Sequence, residues 1–354
     1  MFGLLVNFIN FAKIGKPIIC VQIYNFFFES MKIPKLIILL SFMIPSCGSD
    51  FVIPPPVQKP DTGTVEKPED KPEDKPEDKP EDTPGVTPDL PAGALVADGN
   101  DEATYSLILK SGYNYETPDN SGDHSSAPYR HIRQSYDSFL KRPVFDFILH
   151  IKNDDDRGKT NIKDRQRNEI KTDGNSPAGM VAQKGETLKM TWKFCLPVGM
   201  KTTTKFSHIH QLKGIDNKEA NADVGMPLIT FTARSMSNGT QQFQVIHTSP
   251  TSQGSENTTL YKCSLDDFLG QWVEVDEVVT FDEAGSYELV IRRMSDGKEL
   301  VKVNPRTLWL WRDGTTGMRP KWGLYRNFGD NRSNAHLLRD ETLKFADFHI
   351  QKLK

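Results

Sequence analysis

Apolar and polar residues alternate along most of the chain beyond residue 96, and no long apolar segment with a 3.6-residue period interrupts them. Phe145, Phe147, Leu149 and Ile151 fall on one face of an extended segment, and Leu188, Met190, Trp192 and Phe194 on one face of another. The same pattern predicts strands over Pro227 to Ala233, Gln242 to His247, Trp272 to Phe281, Ser286 to Arg293, Leu300 to Val303, Thr307 to Trp311, Lys321 to Tyr325 and Leu343 to Leu353. Asp173-Gly174, Asn238-Gly239, Ala284-Gly285, Asp296-Gly297 and Asp313-Gly314 supply turns between them. About ten short strands in one stretch predict an all-β fold, a two-sheet β-sandwich of the jelly-roll, concanavalin-like kind. One helix is predicted at Ser264 to Gly270, with Ser264 as its cap and Asp266 and Asp267 at its positive end.

Polar side chains interrupt this pattern at strand spacing in three places. In Phe206-Ser-His-Ile-His-Gln211, a regular strand puts His208 and His210 on one face and Gln211 on the other. Arg165, Arg167 and Glu169 share a face in a second stretch, and Lys321, Gly323 and Tyr325 in a third. Three such rows predict one groove lined by three strands. Taken singly, each row has a plainer reading: satisfied surface histidines, a surface ion pair worth little, and a glycine marking a bulge or a close approach of strands. Trp309, Trp311, Trp322, Tyr261 and Tyr325 are candidate sugar platforms, although aromatic residues in alternating strands belong mostly to the core.

The first 95 residues have a different character. Met31 to Cys47 has a basic start, a short apolar run and a small residue before cysteine, the order of a secretory signal, with translation expected to begin at Met31. Ile44-Pro-Ser-Cys47 resembles a bacterial lipobox, which makes Cys47 the expected lipidation site. Lys13, Lys16, Pro17, Glu29, Lys32 and Lys35 break the apolar runs short of a membrane span. Four copies of Lys-Pro-Glu-Asp run from Lys67 to Asp82, and proline at every fourth position with dense charge predicts an extended, solvated spacer. The expected organisation is a leader over 1–47, a linker over 48–95 and one domain over 96–354. It implies a lipid-anchored protein of the bacterial outer membrane, facing the periplasm or the cell exterior.

Charge narrows the partners. Of the net charge of −3, the leader and linker carry −4 and the domain +1, so the domain is close to neutral, without the basic excess that nucleic-acid binding requires. A monomer is expected. Cys195 and Cys263 are the domain's cysteines, either one disulfide or two buried thiols. No cofactor and no catalytic metal is implied. Asp154-Asp-Asp156 and Asp216-Asn217 are weak candidates for a structural calcium ion, and a solvated acidic turn is the simpler reading. Phosphate loops, nucleophile elbows and zinc helices have no match. A laminarinase-like hydrolase needs Glu-x-Asp-x-x-Glu, and the nearest string, Glu274-Val-Asp276-Glu-Val-Val279, ends in valine.

Taken together, the three rows resemble those of the β-jelly-roll polysaccharide lyases, chiefly the alginate lyases and more distantly heparin lyase I and the glucuronan lyases. Alginate lyases line their groove with Arg-x-Glu-Leu, Gln-Ile-His and Tyr-x-Lys-x-Gly-x-Tyr-x-Gln. This chain has Arg167-Asn-Glu169-Ile170, His208-Ile-His210 and Lys321-Trp-Gly323-Leu-Tyr325, in the same order. His208 replaces a glutamine, Arg319 a tyrosine and Asn327 a glutamine. The resemblance implies β-elimination on an acidic, uronic-acid-containing polysaccharide. Arg167 and His208 would then neutralise the sugar carboxylate, His210 or Tyr325 would take the C5 proton, and Tyr325 would protonate the leaving oxygen. Arg165, Glu169, Gln211, Lys321 and Asn327 are the expected substrate-binding residues. The alternatives are a non-catalytic carbohydrate-binding module of the same fold and a glycoside hydrolase.

Overall fold

A computed structural model describes residues 90–119, 129–159, 161–220, 222, 224–251 and 254–353. The expected leader, Cys47 and the Lys-Pro-Glu-Asp repeats lie outside the described residues. Fifteen strands follow in chain order: β1 (Ala94–Leu95), β2 (Asn114–Glu116), β3 (Ile132–Asp137), β4 (Arg142–Leu149), β5 (Arg165–Lys171), β6 (Thr187–Cys195), β7 (Ser207–Gly214), β8 (Ile229–Ser235), β9 (Gln241–Thr251), β10 (Gly254–Ser264), β11 (Trp272–Thr280), β12 (Gly285–Arg293), β13 (Glu299–Leu308), β14 (Met318–Asn327) and β15 (Glu341–Lys352). One sheet has the order β13-β12-β11-β6-β15-β4-β3, with β1 added beside β15; the other has the order β10-β9-β8-β7-β14-β5-β2. Neighbouring strands in both sheets are antiparallel, and many neighbours are distant in sequence, as a jelly roll requires.

Alternation places the core between the sheets. Leu188, Met190, Trp192 and Phe194 of β6 and Phe145, Phe147 and Leu149 of β4 point inward from the first sheet. Ile209, Leu212, Phe231, Phe243, Val245, Trp322 and Leu324 meet them from the second. Each such side chain contributes about 1.5–3 kcal/mol by leaving water. Trp192 and Trp322 pack edge to face with ring centres 5.5 Å apart, joining the two layers.

Several elements differ from expectation for local reasons. Leu300 to Val303 and Thr307 to Trp311 read as two strands, but β13 runs unbroken from Glu299 to Leu308. The expected helix at Ser264 is a single 3-10 turn, Leu265–Asp267, with the Ser264 hydroxyl accepting from the Asp266 amide at 3.2 Å. A short helix at Thr104–Lys110 and the polar edge strand β10 carried no apolar period to reveal them. Ala94 and Leu95 pair with His349 and Phe348, so ordered structure reaches just upstream of the expected boundary at 96. Cys195 and Cys263 are both free thiols, and burial raises each to about 11.

Candidate functional site

On the outer face of the second sheet, register brings the polar rows together. Tyr325 of β14 lies opposite Arg167 of β5 on one side and His208 of β7 on the other, and His208 in turn faces Thr232 of β8. One turn of the pleat away, Gly323 faces Glu169, which faces Glu116 of β2. Lys321 sits beside Gln211. Arg165 pairs with Asn327 at the end of the row.

His210 is not part of this face. Gly323 and Leu324 together oppose Ile209, and on its other edge β7 steps from His208 opposite Thr232 to His210 opposite Phe231. These bulges shift the side-chain parity by one residue. His208 therefore stays outside, while His210 turns into the core against Trp192, Phe231 and Trp322. There its Nδ1 is 2.9 Å from the Lys321 carbonyl and its Nε2 3.0 Å from Glu277, with both side chains fully buried. The expectation that His208 and His210 share a face is thus corrected. So is the expectation for Gln211, which lies outside and donates to Glu169. The bulge depends on Gly323, whose φ is +142° and where a Cβ would come 2.1 Å from the Asn168 carbonyl oxygen.

The floor of the face is an ionic network. Arg167 donates to Glu169 at 2.7 Å and to Asp156 at 2.8 Å, and it lies 3.3 Å from Glu116. Lys321 bridges Glu116 and Glu169 at 2.6 and 2.7 Å, and Lys171 adds a contact to Glu116 at 2.9 Å. Burial opposes ionisation of Glu169, but the charges of Lys321 and Arg167 prevail and hold it at about 2. Glu116 is held far below the ordinary carboxylate range in the same way. Arg167 and Lys321 are 6% and 2% exposed and already engaged by protein carboxylates, so neither presents an open fork or ammonium to a sugar. Both lie beneath the outer face, held among protein carboxylates.

Above the floor stand Tyr325 and His208. The Arg167 guanidinium packs on the Tyr325 ring, and Arg165 donates to the Tyr325 hydroxyl at 2.8 Å. Burial raises the phenol against the pull of both guanidiniums, so it stays protonated at neutral pH. His208 stacks on Phe206 with ring centres 4.3 Å apart, and its Nδ1 is 2.8 Å from the Thr232 hydroxyl. Because Thr232 donates onward to Thr230 at 3.0 Å, its oxygen accepts from His208 Nδ1–H, leaving the Nε2 lone pair available. Desolvation, aided by nearby Arg234 and Arg167, lowers His208 to about 3 and keeps it neutral. Asn327 and Arg165 both engage Asp164.

Sequence reasoning did not anticipate Glu116, Lys213, Thr232 or Arg234, and it read Asp156 as part of an acidic turn and not as a partner of Arg167. Lys213, Arg234 and Arg319 border the same face, and among the described residues none of the three pairs with a carboxylate. Arg319 continues the parity of Lys321 and Tyr325, as its place in that row implied; Glu116 lies on a three-residue strand too short to show a pattern. The acidic turn is not solvated: Asp154, Asp155 and Asp156 are all buried and serve His131, the Gly158 amide and Arg167 respectively. Trp322 lies in the core and Trp311 is buried, which removes both as sugar platforms, while Trp309 is partly exposed. Glu274 and Asp276 lie on the outer face of the other sheet, beside Lys193 and Asp347 around a cavity of about 260 Å³.

No protein-family model and no curated protein matches the chain. Among solved structures, the chain is similar to an endo-β-1,4-glucuronan lyase from the fungus Trichoderma reesei, at 14% identity and a TM-score of 0.44 over 68% of this chain and 94% of that one. It is similar to a marine alginate lyase from Aplysia kurodai, at 11% identity and a TM-score of 0.46 over 74% and 98%. It is also similar to an alginate lyase of polysaccharide lyase family 7, at 14% identity and a TM-score of 0.42 over 68% and 94%.

Proposed function

We propose that this domain cleaves an acidic, uronic-acid-containing polysaccharide by β-elimination on the outer face of the second sheet. The observation that carries the reading is the row Arg167–Tyr325–His208 across three adjacent strands, bordered by cations without carboxylate partners. A uronate next to C5 resists carbanion formation, so the surface must supply positive charge as that charge develops. Lys213, Arg234 and Arg319 supply it at the rim, and Arg165 beside Tyr325. His208 Nε2 takes the C5 proton, its basicity rising from its low resting value as the substrate carboxylate arrives. Tyr325 gives its proton to the leaving O4, and the Arg165 hydrogen bond stabilises the phenolate that remains.

His210 drops out as the base because it lies in the core. The binding-module alternative loses support with the burial of Trp311 and Trp322, since it relies on aromatic platforms. A lipid anchor at Cys47, followed by the charged spacer, would hold this enzyme at the outer membrane within reach of a polymer.

The test is ultraviolet absorbance of the protein with alginate, glucuronan, heparin-type and ulvan-type polymers. Elimination creates a conjugated double bond and hydrolysis does not. An absorbance rise on one polymer, lost in Tyr325→Phe and in His208→Ala, supports the reading. New reducing ends without absorbance would replace it with a hydrolase, and binding without either product would replace it with a module.

A further inference from the structure

Next to the ionic floor, on the other side of the turn that carries Asp156, lies a second cluster that the elimination chemistry does not use. His131, the residue just before β3, is fully buried, as is Asp154; His150, just after β4, is half-buried. His131 Nε2 lies 2.9 Å from one Asp154 oxygen, and His150 Nδ1 lies 3.3 Å from the other. The three ligand atoms all fall within 4.8 Å of one another. His131 Nδ1 is 2.9 Å from the Asp119 carboxylate. The Tyr129 hydroxyl is 3.4 Å from His150 Nε2, on the far side of that ring.

From this geometry we infer that His131, His150 and Asp154 form a binding site for a zinc-class divalent cation. Two imidazoles and one carboxylate are the donor set that borderline first-row metals prefer over calcium or magnesium. Tetrahedral bonds of about 2.0–2.2 Å space ligand atoms roughly 3.3–3.6 Å apart, and here the two imidazoles approach opposite oxygens of the one Asp154 carboxylate, at 2.9 and 3.3 Å. Asp119 supplies the outer contact that such sites characteristically have: a carboxylate on the remote ring nitrogen, which fixes the tautomer with Nε2 toward the metal. Asp154 is held in turn by the His150 amide, and its backbone carbonyl accepts from Gln166.

A bound cation would replace the direct contact between His131 Nε2 and Asp154. Its effect on the rest of the molecule is mechanical. The turn after Asp154 provides the Asp155 carbonyl that accepts from the Arg167 amide at 3.0 Å and the Asp156 carboxylate that holds the Arg167 guanidinium. A cation at Asp154 therefore braces the support of Arg167 without touching the outer face.

The experiment is calorimetric titration of the chelator-treated, purified full chain with zinc chloride, paired with thermal unfolding at each metal ratio. One saturable equivalent and a melting temperature raised by several degrees are expected, with His150→Gln binding at least tenfold more weakly. His131→Gln should do the same, but its buried position makes His150→Gln the decisive variant. Absence of saturable binding in the wild type, or unchanged affinity and stabilisation in folded His150→Gln, overturns the assignment. Neither readout depends on catalytic activity, so the result is independent of the proposed elimination.

Discussion

The guanidinium carbon of Arg167 lies 3.6 Å from the centre of the Tyr325 ring, while three carboxylates, from Glu116, Asp156 and Glu169, surround the same guanidinium. Arg167 is thus a strut between an acidic floor and the phenol above it. Arg167→Ala would leave those carboxylates buried beside one another, a loss of about 3–5 kcal/mol for a broken buried pair. Arg167→Lys should recover little, because a lysine cannot keep the fork to Asp156 and Glu169 while stacking on the ring. Denaturant unfolding of the two variants checks this, and a stability close to wild type in Arg167→Ala would contradict it.

Tyr325→Phe separates chemistry from structure. The ring and its contact with Arg167 remain, and the losses are the hydroxyl and the hydrogen bond from Arg165. The elimination rate is expected to fall by roughly 10²–10⁴, the range for a lost general acid, while the melting temperature changes little. Steady-state absorbance assays and a thermal melt on the same preparation give both numbers.

The alternation that made the sandwich readable also limited what could be read of the site. Rows on β5 and β14 kept their parity, so Arg165, Arg167, Glu169, Lys321 and Tyr325 emerge on one face as their spacing implies. On β7 the same rule failed, because a bulge is defined by its pairing partners and β7 has two of them. Nothing in Ser207-His-Ile-His-Gln211 marks which residue is skipped. Gly323 was the one local sign, and only its packing against Asn168 and Glu169 distinguishes a bulge from room for a ligand. Glu116 lies 51 positions before Arg167 and 205 before Lys321, and only topology brings it into the network.

Lys213 gives the proposed site a pH dependence. Burial, reinforced by Lys321, Arg167 and Arg319, lowers its ammonium to about 7. Below that value it is charged and attracts a polyanion; above it the charge is lost. KM for an acidic polymer should therefore rise roughly two- to fivefold as pH increases through 7, with the size of a single partly exposed ion contact. Lys213→Met should show the weaker binding at every pH and no inflection near 7. An inflection that survives the substitution assigns it to another group.

His208 and His210 should respond to substitution in opposite ways. His210→Ala removes a buried ring from between Trp192 and Trp322 and leaves Glu277 in the core with, among the described residues, the Tyr287 hydroxyl 2.8 Å away as its remaining hydrogen-bond partner. A cavity and an unpaired buried carboxylate together are expected to cost about 3–5 kcal/mol. His208→Ala opens no comparable hole, since the ring lies on the outer face between Phe206 and Tyr325. It should keep its stability and lose turnover. His208 stays neutral down to about pH 3, so kcat/KM of the wild type should show no acid limb near the ordinary histidine value. If His210 were the base, the pattern would reverse: His208→Ala would turn over normally, and His210→Ala would fold well and be inactive. Melting curves and elimination rates for the two single variants, measured side by side, decide between them.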